Sequence, residues 1–136
     1  NVANNLKSLS AQVSVYGVVG QDSNGEKFVK ELEAKQINPS GIVIDGTRPT
    51  IIKSRVLSQG QQLLRLDWEK DTDITENIQS KIIENVEKDI ENTDAVLLSD
   101  YNKGVLTEFV SQSIIKIAKK YNISLDNPKL KNAVKY

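Results

Sequence analysis

The segment from residue 50 to residue 69 constrains the fold more than any other, because its polar residues recur with period two on both sides of Gly60. This alternation is typical of two antiparallel strands joined by a tight turn. We expect a three-residue loop from Ser58 to Gly60, with Gly60 in the left-handed conformation that glycine adopts without strain. A two-residue turn would shift the pairing register by one residue and mix charged and apolar side chains on both faces.

The expected hairpin has two chemically different faces. Its polar face carries Lys53, Arg55, Gln61, Arg65, Asp67 and Glu69. Its opposite face carries Ile52, Val56, Leu64, Leu66 and Trp68. In this register Lys53 lies opposite Arg65, a like-charge pair that a bound anion would relieve. The polar face therefore suits an anionic, hydroxyl-rich ligand, although the water-exposed side of a two-sided ribbon would show the same pattern.

Two pairs of polar residues in the hairpin have alternative interpretations. Asp67 and Glu69 can accept hydrogen bonds from sugar hydroxyls, or they can form surface salt bridges with the neighbouring arginines. Gln61 and Gln62 are adjacent and point to opposite faces, so both contact one ligand only if the loop bulges. The register favours Gln61 for ligand contact, with Gln62 as the alternative.

The composition excludes several classes of function. The chain has 136 residues, which suits one domain with a single hydrophobic core. Its 18 basic and 18 acidic residues give a formal net charge of zero, which argues against nucleic acid or an anionic membrane as the main partner. The chain has neither cysteine nor histidine. We therefore expect no metal site in it, and any catalysis must use Asp, Glu, Lys, Arg, backbone amides or a cofactor.

The chain shows no segment that would carry it into or across a membrane. No apolar run approaches the ~20 residues of a membrane-spanning helix, and no signal peptide is visible. We therefore expect a cytoplasmic protein. The chain opens without Met inside a helix-like pattern and closes at Tyr136 soon after a strand-like segment. We expect it to be a piece of a longer protein.

Outside the hairpin, β-rich apolar segments alternate with amphipathic segments of helical spacing. We expect strands at residues 13–19, 42–44, 94–100 and 123–125, and helices at residues 25–35, 73–91 and 107–121. The strand at 94–100 should be buried on both faces, because its apolar centre is continuous. The alternation predicts an α/β fold with a largely parallel sheet, divided into a first core part at 1–49, a projecting β-hairpin lid at 50–69 and a second core part at 70–136.

The segment after the third expected strand offers a second group of candidate ligands. Asp100 stands at the C-terminal end of that strand, where open α/β sheets bind their ligands. Lys103 and the turn at Gly104 follow, and they supply a cation and free backbone amides. An Asx-type turn with a solvated lysine is the alternative interpretation.

Several of these motifs resemble those of the ribokinase-like (PfkB) carbohydrate kinases. The opening Asn1-Val-Ala, with its spacing to Ser10 and Gly20, is similar to the back half of the first signature of that family. The motifs that resemble the heptose 7-phosphate kinases of ADP-heptose synthesis occur in the family's order: Arg48-Pro-Thr50, Thr50-x-x-Lys53-x-Arg55, Gln61-Gln62, Arg65-x-Asp67-x-Glu69 and Ser99-Asp100-Tyr-x-Lys103-Gly104. Asp126-Asn-Pro-Lys129 resembles the family's Asp-Pro-Lys with one extra Asn.

The resemblance implies a ribokinase-like parallel-sheet sandwich and the transfer of a phosphoryl group from ATP, with Mg²⁺, to a sugar hydroxyl. It implies that Asn1 binds the sugar, that the polar face of the lid, Asp100 and Lys103 bind a sugar phosphate, and that Lys129 contacts ATP. The catalytic Asp and its anion hole would lie beyond residue 136. The lids of two subunits would pack together through their apolar faces in a homodimer.

Two other functions remain open at this point. The protein can be another PfkB kinase, of the ribose, adenosine or fructose phosphate type. It can also be a lid-bearing module that binds a sugar phosphate or dimerises without catalysis. ADP release that depends on heptose phosphate distinguishes the expected kinase from both.

Overall fold

The computed structural model of the protein describes residues 2–126. Its elements in chain order are α1 (Val2–Ser8), β1 (Ser14–Gly20), α2 (Ser23–Ala34), β2 (Asn38–Asp45), β3 (Ile52–Ser58), β4 (Gln61–Trp68), α3 (Glu76–Asp89) with a 3-10 turn (Ile90–Asn92), β5 (Ala95–Leu97), α4 (Glu108–Lys120) and β6 (Ser124–Asp126). Asn1 and Lys129 lie outside the described residues, so their contacts with sugar and ATP stay predictions.

Two βαβ units form the α/β body. Strands β1 and β2 pair in parallel and are connected by α2, and strands β5 and β6 pair in parallel and are connected by α4. The expected α/β fold with parallel strands is therefore confirmed. Within residues 2–126, however, these pairs are two separate two-stranded sheets rather than one continuous sheet.

Strand β5 is shorter and less buried than its sequence predicts. Ala95 and Leu97 are exposed, whereas Val96 packs against the core and Leu98 is buried. Side chains two positions apart share one side of a strand. The apolar run therefore meets the core through one side only, and the prediction of a strand buried on both faces is wrong.

The hydrophobic core lies where α3 and α4 pack on each other and α3 packs on β2. Apolar residues recur in each helix at spacings of three and four, which places them on one side. The core residues of these three elements include Val43, Ile78, Ile82, Val86, Val110, Ile114 and Ile117. Burial of one aliphatic side chain stabilises the folded state by about 1.5–3 kcal/mol. This core therefore holds the strands in place, and with them the loops that leave the strands. Each helix within residues 2–126 is too short or too polar to span a lipid bilayer.

The chain enters the hairpin of β3 and β4 through a tightly packed turn beside the start of α2. Asp22 caps α2 by accepting hydrogen bonds from the backbone N–H groups of Asn24 and Gly25, at 3.1 and 2.9 Å. The same carboxylate accepts a hydrogen bond from the backbone N–H of Thr50 at 2.8 Å. These bonds, of which that of Thr50 contributes most, lower the pKa of Asp22. Thr50, which precedes β3 by two residues, is thereby held against the α/β body.

Strands β3 and β4 pair antiparallel and are joined by a two-residue turn, so the expected three-residue loop is wrong. Gln59 and Gly60 have φ angles of 48° and 80°. Positive values at both central residues are what a type I′ turn requires, and this turn matches the twist of the flanking strands. Without a second shift in register, this turn would place charged and apolar side chains together on both faces of the hairpin.

A β-bulge in β4 restores the separation of the faces. Val56 pairs with Leu64 and Leu57 pairs with Gln62, which leaves Leu63 as the extra residue. The charged residues between the bulge and the base of the hairpin therefore share one face, and the apolar residues share the other. Both expected faces form there, but each cross-strand partner lies two positions away from the predicted one. Every residue of β4 is exposed.

Candidate functional site

Side chains of alternating charge form a continuous network on the polar face of the hairpin. Lys53 Nζ lies 3.4 Å from Asp67 Oδ2 and 3.2 Å from Glu69 Oε2. Asp67 also pairs with Arg65 at 2.7 Å, and Glu69 pairs with Lys103. Lys103 belongs to the loop after β5, so the network joins the hairpin to the α/β body. The fold thus brings together two sequence segments in which we expected substrate contacts.

Arg65 and Asp67 are held together by several hydrogen bonds. Arg65 Nε donates to Asp67 Oδ1 at 2.9 Å, and Arg65 Nη2 donates to Asp67 Oδ2 at 2.7 Å. This two-pronged geometry is the strong form of an arginine–carboxylate pair. The hydrogen bonds from Arg65, with a smaller contribution from Lys53, lower the pKa of Asp67 to about 2. Asp67 is therefore ionised at neutral pH and can only accept hydrogen bonds.

Glu69 connects the hairpin to the α/β body, because it pairs with Lys53 on β3 and with Lys103 in the loop after β5. Its hydrogen bonds from Lys103 and, to a smaller extent, from Lys53 lower the pKa of Glu69, and the same bond to Glu69 raises the pKa of Lys103. Both side chains are partly covered, with 22% and 28% exposed. Since a surface ion pair contributes only about 0–1 kcal/mol, the network orders these side chains more than it stabilises the fold.

Arg55 differs from the other basic residues of the polar face. It lies opposite Arg65, in the place where the sequence predicted Lys53, and Lys53 lies opposite Asp67 instead. Within residues 2–126 Arg55 makes no ion pair, whereas Lys53 and Arg65 both do. Like charges directly opposite each other are unfavourable in a sheet. The position of Arg55 therefore favours an anion that arrives from solvent.

Because of the bulge, Gln61 and Gln62 each lie on the face opposite to the one expected from the sequence. Leu57 lies two positions after Arg55, so the two share one side of β3. Gln62 pairs with Leu57 and Gln61 pairs with Ser58. Gln62 therefore lies on the polar face and Gln61 on the opposite face. The expectation that Gln61 lies on the polar face is wrong, because the register depends on the bulge, and Gln62 lies there instead. Ligand contact by either glutamine stays a prediction.

Asp100 and Lys103 lie in the loop that follows β5. Asp100 is 7% exposed and accepts a hydrogen bond from the backbone N–H of Asn102 at 2.7 Å. This is the geometry of the Asx-type turn that the sequence left open. Asn102 and Gly104 have φ angles of 55° and 73°, so the chain turns sharply on both sides of Lys103. The turn places Lys103 where its ammonium group reaches Glu69 on the hairpin.

An open cavity of about 400 Å³ lies beside this loop. Its lining includes Ser99 and Tyr101, which flank Asp100 in the sequence, and also Val2 and Ala3 at the start of α1. The cavity therefore joins two segments of the chain in which the resemblance implies contacts with a sugar.

A buried ion pair at the base of the hairpin was not expected from the sequence. Arg48 Nε lies 3.1 Å from Asp45 Oδ2, and the two side chains are 5% and 4% exposed. Thr47 donates its backbone N–H and its hydroxyl to Asp45 Oδ1 at 2.9 and 2.7 Å. Burial acts to raise the pKa of Asp45, but the hydrogen bonds from Thr47 and the charge of Arg48 lower it overall. The sequence feature that could have indicated this pair is an acidic and a basic residue three positions apart in a turn.

The described part of the chain does not fit a metal site. Within residues 2–126 no group of three or more metal-ligating side chains comes together. Mg²⁺ prefers oxygen ligands, mainly carboxylates and phosphates, and the carboxylates of the hairpin are paired with lysine and arginine.

The sequence is similar to known carbohydrate kinases. The sequence model of the "pfkB family carbohydrate kinase" matches residues 1–135. The bifunctional protein HldE of Helicobacter acinonychis is 42% identical over the whole chain, and that of Sulfurimonas denitrificans is 44% identical. The chain spans 30% and 29% of the length of these two relatives.

A solved structure shows the same fold. An uncharacterized sugar kinase from Pyrococcus horikoshii has a TM-score of 0.61 at 20% identity, covering 93% of this chain and 42% of that chain. At this identity the likeness shows the fold alone, and it confirms the ribokinase-like α/β fold expected from the sequence. Because the family model also matches residues 1–135, the chain belongs to the pfkB family of carbohydrate kinases.

Proposed function

We propose that the full-length protein is an ATP-dependent kinase of the bacterial cytoplasm that phosphorylates a hydroxyl of heptose 7-phosphate in ADP-heptose synthesis. Residues 50–69 are the lid that closes over this sugar phosphate. The observation that carries the proposal is the charged face of the lid, which is tied to the loop after β5 through the Glu69–Lys103 pair. The motifs of the heptose 7-phosphate kinases fall on this face and this loop.

The phosphate of the substrate is bound by Arg55. Arg65 already has a two-pronged pair with Asp67, whereas Arg55 makes no ion pair within residues 2–126. A guanidinium group offers a phosphate two parallel hydrogen bonds. A bound phosphate also offsets the repulsion between Arg55 and Arg65, which lie opposite each other. This geometry favours a phosphorylated sugar over a neutral ribose or adenosine.

The sugar hydroxyls are oriented by the carboxylates and the amide of the same face. Asp67 and Glu69 have lowered pKa values and accept hydrogen bonds from hydroxyl groups. Gln62 adds a donor and an acceptor. Phosphoryl transfer depends on an oriented acceptor and on the exclusion of water, and a lid tethered to the body through Lys103 serves both needs.

The test of this function is the replacement of Arg55 by alanine in the full-length protein. We expect the affinity for heptose 7-phosphate to fall by about 1.5–3 kcal/mol, the size of a lost hydrogen bond to a charged group. Isothermal titration calorimetry measures it directly. Arg55→Lys keeps the charge but loses the fork, so it should recover only part of the loss. An unchanged affinity in Arg55→Ala removes this residue from the site, and binding without heptose-dependent ADP release favours the non-catalytic module.

The apolar face of the lid is covered by a second copy of the protein. Val56, Leu64 and Trp68 are 45%, 50% and 50% exposed, and no described segment covers them. An apolar patch of this kind on a projecting element marks an interface. The face has no charged residue between the bulge and Trp68, so two copies can pack through it about a two-fold axis without burying an unpaired charge.

Replacing Leu64 by aspartate is expected to convert the dimer into monomers, because a charge would be buried at the centre of the apolar interface. Sedimentation equilibrium measures the change in mass. Ile44→Asp is the matched control, since Ile44 is an aliphatic residue of β2 that is 61% exposed and lies outside the lid. If the wild-type protein is already a monomer, or if both variants dissociate equally, the lid is not the interface.

A further inference from the structure

Arg48 lies at the base of the lid and contacts three separate segments of the chain. Its Nε pairs with Asp45 in the turn that leads into the lid. Its Nη2 donates to the backbone carbonyl of Thr72, in the segment that leaves the lid, at 2.8 Å. Its Nη1 donates to the backbone carbonyl of Lys103 at 3.5 Å. One guanidinium group therefore joins both ends of the lid to the loop after β5.

The segments that contain Thr72 and Lys103 are packed against each other with almost no free space. The backbone N–H of Ile74 donates to the carbonyl of Gly104 at 2.9 Å. A Cβ atom on Gly104 would lie 2.1 Å from the carbonyl oxygen of Thr72. Because Arg48 binds the carbonyls of Thr72 and of Lys103 at this contact, it fixes the backbone of Lys103 relative to the base of the lid.

From this geometry we infer that Arg48 is a positioning residue for sugar-phosphate binding, which rests on the proposed function. The backbone of Lys103 is held by Arg48, and its ammonium group pairs with Glu69 at the end of β4. Glu69 in turn pairs with Lys53 on β3. Arg48 thus sets the position of the cations of the charged face without touching the substrate itself.

Arginine is suited to this role and lysine is not. The planar guanidinium group donates in several fixed directions, whereas an ammonium group is a point charge on a flexible stem. Arg48→Lys therefore keeps a positive charge for Asp45 but cannot also bind both carbonyls. The substitution separates the electrostatic role of Arg48 from its positioning role.

The experiment compares Arg48→Lys with Lys70→Ala in the full-length protein. Lys70 also lies at the base of the lid, where it is exposed and makes one hydrogen bond to the carbonyl of Thr47. We expect Arg48→Lys to raise the KM for heptose 7-phosphate about tenfold, near the lower end of the cost of a lost hydrogen bond to a charged group, and to leave the KM for ATP unchanged. Lys70→Ala should change neither. An equal rise in both KM values, or a lower melting temperature with both unchanged, makes Arg48 merely structural and overturns the inference.

Two further measurements keep the inference testable. Lys103→Ala removes the group that Arg48 positions, so it should raise the KM for the sugar phosphate without destabilising the protein; an unchanged KM overturns the inference even if Arg48→Lys does not fold. The rate of trypsin cleavage after Arg55 and Arg65 measures how firmly the lid is held, and it does not depend on kinase activity. If the protein phosphorylates no heptose 7-phosphate, the proposed function fails. Several-fold faster cleavage in Arg48→Lys would still support the positioning role, and an unchanged rate would refute it.

Discussion

Replacing Asp45 by alanine is expected to lower the free energy of unfolding by about 3–5 kcal/mol, the cost of removing one partner from a buried ion pair. The change leaves the guanidinium group of Arg48 buried without a carboxylate, since both side chains are almost fully covered. It also removes the acceptor for the two hydrogen bonds from Thr47. Urea unfolding of the full-length protein, followed by circular dichroism, measures the difference.

Two controls separate burial from charge. Glu31→Ala breaks an ion pair with Lys35 at 3.9 Å whose side chains are 72% and 47% exposed, and it should change the stability by no more than about 0.5 kcal/mol. The double variant Asp45→Ala/Arg48→Ala should lose less than the sum of the single variants, because it leaves no unpaired buried charge. Additive losses would show that the two side chains stabilise the fold independently.

The same pair makes stability depend on pH in a defined direction. The folded-state pKa of Asp45 lies below its ordinary value of 3.8. A carboxylate of this kind contributes its full stabilisation above its unfolded pKa, and the contribution is lost as the pH falls through the folded pKa. The advantage of the wild-type protein over Asp45→Ala should therefore be complete at neutral pH and shrink below pH 3.8.

The faces of the hairpin could be predicted from the sequence, but its register could not. Alternation of charged and apolar residues decides which side chains share a face, and it is unchanged when one strand moves by two positions. The two-residue turn at Gln59 and Gly60 and the bulge at Leu63 each shift the register, and together they preserve the alternation. The pattern therefore gave the correct faces with the wrong partners, and near the bulge it placed Gln61 instead of Gln62 on the polar face.

The buried ion pair and the short strand β5 were missed for a different reason. A charged residue in a turn is usually exposed, and the burial of Arg48 results from the approach of Thr72 and Lys103, which are distant in the sequence. The burial of β5 depends likewise on which side of the strand meets the core, and its length depends on its pairing with β6. Patterns along the chain reveal local periodicity, but contacts between distant segments decide which polar group is enclosed.

Replacing Gly104 by alanine is expected to lower the free energy of unfolding by about 2–5 kcal/mol and to weaken sugar-phosphate binding. Gly104 has a φ of 73°, a conformation that costs a residue with a Cβ about 1–2 kcal/mol. The new Cβ would also lie 2.1 Å from the carbonyl oxygen of Thr72, and overpacking of this kind costs about 1–3 kcal/mol more. Urea unfolding and titration with heptose 7-phosphate measure the two effects.

Gly60→Ala is the matched control for Gly104→Ala, because it has the same backbone penalty without the contact. Gly60 has a φ of 80°, and a Cβ there would meet no atom within 4 Å. It should cost only the ~1–2 kcal/mol of the left-handed conformation. The backbone at Gly104 must move to relieve its contact, and Lys103 moves with it away from Glu69, so only Gly104→Ala should weaken binding. Equal losses of stability and affinity in the two variants would mean that the contact with Thr72 does not hold Lys103 in place.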